Sequence, residues 1–159
     1  MKLRLLLLHL AASATLFSQT PRIAYRGVLN AASFTPAGLP GGGIAQGSFF
    51  SIFGQSLGPA TPAEQISFPL QTSFSGVSVT VSQGGTTVAV IPVFVSSSQI
   101  NAIMPSNAPL GLDALQVTFN GLKSSNSPVR VVNASVGIVS VSGLGNGPVS
   151  YTHLTLPTN

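Results

Sequence analysis

The sequence predicts an all-β sandwich of roughly seven short strands, and three observations carry that prediction. Apolar and polar residues alternate with a period of two in several short runs, most plainly at 76–82 and 115–119. Such alternation buries one face of a strand and leaves the other to water. Glycine and proline, 17 and 12 of the 159 residues, break these runs at the spacing of turns. No run shows the three-to-four-residue apolar spacing of an amphipathic helix.

Taken in order, residues 19–46 read as a loop-rich segment, because TPAGLPGGG at 35–43 is a run of chain breakers. SFFSIF at 48–53, bounded by Gly47 and Gly54, reads as a buried strand. Pro59, Pro62 and Pro69 hold 58–72 extended. GVSVTVS at 76–82 alternates, and 83–86 makes a hairpin turn in which Gly85 can take positive φ. An apolar strand follows at 87–95, where Pro92 marks an edge or a bulge. A short strand at 99–104 closes at Pro105. LQVTF at 115–119 alternates again and runs into Asn120-Gly121, the strongest short hairpin signal of the chain. Strands at 129–132 and 136–141 complete the set. Each alternating strand must lay its apolar face on a second sheet. An immunoglobulin-like (Ig-like) sandwich over 47–148 is therefore the expected packing.

The two ends read as something other than fold. Residues 1–18 have the three parts of a secretory signal: Lys2 and Arg4, an apolar run at 5–12, and small residues such as Ala12-Ser13-Ala14 at a cleavage site. The run is too short for a membrane span, which needs about 20 apolar residues, and no later segment could span as a helix. Export is the expectation. The last residues, 149–159, read VSYTHLTLPTN. Written in codons as GTC TCT TAT ACA CAT CTG ACG CTG CCG ACG, residues 149–158 resemble the end of a transposase sequencing adapter read in frame. They are excluded from the fold as a fusion scar. A native chain that continues differently after Pro148 is the expectation.

Composition narrows the function classes. Charged residues make up 5% of the chain, far below the usual quarter. Its net charge of +4 reflects scarce acids, Glu64 and Asp113 alone, rather than a basic stripe. Arg22, Arg26, Lys123 and Arg130 form no cluster in sequence. Nucleic-acid binding, which needs several phosphate contacts, is not expected. Without cysteine there is neither a disulfide scaffold nor a thiolate metal site.

GQSLG at 54–58 fits G-x-S-x-G, the turn that presents a nucleophilic serine in many hydrolases. That elbow must lead into a helix, yet Pro59 and Pro62 follow it. The serine also needs a base. His9 and His153 lie in the leader and the tail, and Lys123 sits beside a hairpin turn, pointing to water. Ser56 is therefore weighed as a structural serine, with hydrolysis the weak alternative. Glu64 and Asp113 are both placed in loops as solvated acids, not as a glycosidase pair. Calcium held by Asp113 and carbonyls would lack the usual carboxylates. Asn133-Ala134-Ser135 fits a glycosylation acceptor but reads as a strand end. Gly41-Gly42-Gly43 lacks the ending of a phosphate loop and reads as a flexible linker. Phe49, Phe50, Phe53 and Phe94 could stack sugars if exposed, but are expected in the core. No catalytic, cofactor or metal residues are assigned.

Several stretches resemble a known family. These are NAASF at 30–34, GSFFSIFGQSLG at 47–58, GVSVTV at 76–81, SQINAIMP at 98–105 and VTFNG at 117–121. In this order they resemble the uncharacterised domain found near the C-termini of many secreted proteins of Solibacter-type soil acidobacteria. That domain is similar in turn to IPT/TIG domains, Ig-like sandwiches of cell-surface and extracellular proteins. The resemblance covers about residues 27–147 and departs from the family at Val136-Gly137-Ile138-Val139, where Pro-Gly-Ile-Phe is usual. It implies an Ig-like fold, a second related copy downstream, and no catalytic residues. The expectation for function is an exported, non-catalytic module of a larger extracellular protein, serving as spacer, adhesion or protein-interaction domain. The alternative is a carbohydrate-binding accessory module whose partner is an extracellular polysaccharide.

Overall fold

A computed structural model describes residues 19–137. Residues 1–18, expected to be a leader, and 149–159, expected to be an adapter-like tail, lie outside them, as does 138–141 of the last expected strand. Within them, Val136 and Gly137 carry no strand geometry.

The protein is an all-β sandwich, and no helix occurs among the described residues. Among the described residues seven strands are long: β1 (Arg22–Asn30), β3 (Phe49–Gln55), β6 (Val77–Gln83), β7 (Thr86–Val95), β8 (Gln99–Ile103), β9 (Gly111–Phe119) and β11 (Ser127–Val132). Four are two-residue pieces: β2 (Ile44–Ala45), β4 (Ala63–Glu64), β5 (Ser73–Phe74) and β10 (Leu122–Lys123). The hydrogen-bonded order is β1-β3-β8-β7-β6-β9-β11-β2. All neighbours on this path are antiparallel except β11 and β2, which run parallel.

β7 belongs to both layers. Its first half pairs with β6, Val90 opposite Val79, and its second half pairs with β8, Ile91 opposite Ile103. The ladder shifts between Pro92 and Phe94. Pro92 thus sits at a bulge, where the lost N–H costs no ladder bond and the strand can bend from one layer into the other. This corner nearly closes the sandwich into a barrel.

The core lies between the inward faces. Val77, Val79 and Val81 of β6, Leu115 and Val117 of β9, and Val129 and Val131 of β11 meet Phe50 and Ile52 of β3 and Ile100 and Ala102 of β8. The inward rows on β6 and β9 are those that the alternation predicts. Both glycine-containing hairpins also form. Gly84 and Gly85 take φ of 54° and 87°, and Asn120 and Gly121 take 47° and 83°. Positive φ at both central residues is the turn whose twist matches a hairpin.

Three sequence expectations are corrected. The segment 19–46 is not all loop, because Arg22–Asn30 forms β1 on β3. The alternation there is hidden by a bulge: the register shifts between Ile23 and Val28, and Arg26 has φ of 54°. The sandwich therefore begins at β1, not at residue 47. Gly42 and Gly43 are packed rather than part of a free linker, while Gly41 is exposed with nothing within 4 Å of its Cβ position. A Cβ at Gly42 would meet the Pro36 carbonyl oxygen at 2.5 Å, and one at Gly43 would meet Val132 Cγ1 at 2.9 Å. Of the four phenylalanines placed in the core, only Phe50 is fully buried; Phe53 and Phe94 are half-buried and Phe49 is 56% exposed. Phe49 and Phe53 flank Phe50 on β3, so the strand's period of two turns them to the opposite face.

Candidate functional site

The GQSLG segment lies at the end of β3 and in the turn beyond it. Its glycines serve close approach, not unusual backbone angles. A Cβ at Gly54 would fall 2.1 Å from the Arg22 carbonyl oxygen of β1, and one at Gly58 would fall 2.9 Å from the Ser96 carbonyl oxygen. The residue with positive φ is Ser56 itself, at 53°. Its hydroxyl donates to Gln19 Oε1 at 3.0 Å. Leu57 is fully buried, and its N–H donates to the Ser97 carbonyl at 3.0 Å. Gly54, Leu57 and Gly58 thus each have a packing reason. The chain continues into two-residue strand β4, not into the helix a nucleophile elbow requires. Lys123, the other member of the conceivable pair, lies exposed on β10.

The acids are not where a loop placement puts them. Glu64 is exposed on β4. Asp113 lies within β9, because that strand starts at Gly111, four residues before the run that alternation picks out. The same period that buries Leu115 and Val117 turns Asp113 inward, opposite Val129 and 3% exposed. Neither carboxylate oxygen meets a hydrogen-bond donor among the described residues. Burial pushes its carboxyl above the ordinary 3.8, because the charged form loses water. The two acids share no site: one is at the surface of β4 and the other faces the core from β9. Among the described residues no group of three or more His, Cys, Asp or Glu side chains comes together to hold a metal ion.

The motifs that carry the family resemblance are structural joints. Asn30, 3% exposed, accepts from the N–H groups of Ala32 and Ser33 at 2.9 and 3.2 Å and turns the chain out of β1. Phe34 then sets its ring 6.3 Å from that of Phe53. On β8, Asn101 Oδ1 accepts from Ser51 Oγ at 3.0 Å and from Gln99 Nε2 at 2.8 Å, tying β8 to β3. Asn133 lies in a bend just past β11, as a strand-end residue.

The feature that sequence reasoning missed is a cleft of about 700 Å³ between β1 and the β10–β11 side of the other layer. Arg22, Arg26 and Arg130 line it together with Tyr25 and the polar stretch before β11. All four named side chains are exposed. Arg22 and Arg26 lie four residues apart on β1, while Arg130 comes from β11, far along the chain. Only the return of β11 near β1 places the third arginine on the same cleft as the other two. No local signal in the sequence could have announced it. The guanidinium of Arg26 stands 5.4 Å from the centroid of the Tyr25 ring, a cation–π distance. Comparison of the chain with protein-family models and with curated proteins gives no match to either.

Proposed function

We propose that this protein is an exported, non-catalytic Ig-like module of a larger extracellular bacterial protein, of the IPT/TIG-like kind its sequence resembles, acting as a spacer, adhesion or protein-interaction domain. The observation that carries this reading is the state of Ser56. The hydroxyl of the one nucleophile-like pattern is held by Gln19, and both flanking glycines are explained by strand packing. The all-β sandwich is an architecture that commonly serves extracellular proteins as a scaffold, with function in its loops and edges. Export is supported by the three-part leader. The test is reaction of the purified chain with a fluorophosphonate probe beside its Ser56→Ala variant. No labelling of either is expected. Labelling of the wild type that disappears in the variant would overturn the reading. A second reading, a carbohydrate-binding accessory role, is favoured by the arginine-lined cleft.

A further inference from the structure

Three of the four basic side chains between residues 19 and 137 line one cleft; Lys123, on β10, is the fourth. In a chain with only two acids this is the strongest concentration of charge among the described residues. Neither acid lines the cleft. The three guanidiniums are therefore not neutralised by side chains lining it, and each presents a planar fork of donors that matches a carboxylate. Tyr25 adds a ring that is 89% exposed, a large apolar surface left in water. Asn126 and Ser127 add amide and hydroxyl groups to the wall. The volume, about 700 Å³, falls in the range of ligand pockets.

We propose that this cleft binds a carboxylated polysaccharide, a chain of uronate-type sugars. Arg22, Arg26 and Arg130 hold the carboxylates, Tyr25 packs on a sugar ring, and Asn126 and Ser127 bond to hydroxyls. Two other polyanions fit less well. An acidic peptide would use the outer edge of β1 by adding a strand. That edge is broken where the register shifts between Ile23 and Val28 and Arg26 takes positive φ. A duplex nucleic acid would meet only three cations here, so binding would be weak at physiological salt. The inference rests on the exported, non-catalytic reading only for the source of the ligand. A chain shown to remain inside the cell would remove that reading and leave the binding result standing.

The test is calorimetric titration of the whole chain with polygalacturonate at low and at physiological salt. Dextran, polyglutamate and duplex DNA serve as comparison ligands. Binding to polygalacturonate, weakened by salt and absent for dextran, is expected. The double variant R22Q/R130Q should weaken it by about tenfold or more, as loss of charge-assisted hydrogen bonds requires. Lys123→Gln, outside the cleft, should leave it unchanged and show that net charge alone is not responsible. Tyr25→Ala should weaken polygalacturonate severalfold. Circular dichroism of each variant establishes that it is folded. Absence of binding, equal binding to polyglutamate or DNA, or equal loss in Lys123→Gln and R22Q/R130Q would each overturn the proposal.

Discussion

Replacing Asp113 with valine should stabilise the protein at neutral pH, the reverse of what most core substitutions do. Asp113 is 3% exposed on the inward face of β9, in line with Leu115 and Val117, and neither oxygen has a hydrogen-bond donor among the described residues. A buried polar group without a partner costs about 1–3 kcal/mol, more when charged. Valine suits the strand and removes that cost while keeping most of the volume. The pH dependence follows from the raised carboxyl. The native state binds its proton more tightly than the unfolded state, whose value is near the ordinary 3.8. The contribution to stability is thus fully present below 3.8 and is lost as pH rises through the higher folded value. Urea unfolding followed by circular dichroism, from pH 3 to pH 8, reads both effects. With a urea slope of roughly 1–3 kcal/mol per molar, the variant's midpoint at pH 7 should lie about 1 M higher. The gain should shrink toward pH 3. A variant less stable than wild type at pH 7, together with wild-type stability that rises between pH 4 and 7, would show that the carboxylate has a partner and would refute the reasoning.

Other substitutions separate the roles within GQSLG and at the joints of the fold. Gly54→Ala should cost about 1–3 kcal/mol by forcing β1 from β3, since its Cβ would lie 2.1 Å from the Arg22 carbonyl oxygen; Gly38→Ala, with no neighbour within 4 Å, should pay only for its positive φ. Thermal unfolding of the pair checks this. Leu57→Ala should lose about 2–5 kcal/mol because the side chain is fully buried. Ser56→Gly should be neutral or slightly stabilising, since a glycine relieves the φ of 53°; denaturant midpoints of the two variants measure the contrast. Asn30→Ala should cost about 1–3 kcal/mol by orphaning the Ala32 and Ser33 N–H groups, and hydrogen exchange of those two amides should speed up.

What could be read from the sequence was what is local. The row Val77, Val79, Val81 and the turn Asn120-Gly121 are each set by neighbours in the chain, and both occur as expected. Pro92 signalled its bulge because a missing N–H has few places in a sheet. β1 stayed hidden because its bulge at Arg26 breaks the period that would have revealed it. Asp113 was misplaced because a charged residue inside an apolar row reads as the end of that row, whereas β9 passes through it. The arginine cleft is a property of topology. Arg22 and Arg130 are brought to one cleft by the approach of β1 and β11, which no window along the chain contains.

The strand β7 has a mechanical consequence. One covalent backbone runs through both layers, with hydrogen bonds to β6 on one side of Pro92 and to β8 on the other. The two layers are therefore joined by a covalent link as well as by packing, and moving one away from the other must open the corner at Pro92 or break one of the two ladders that β7 makes.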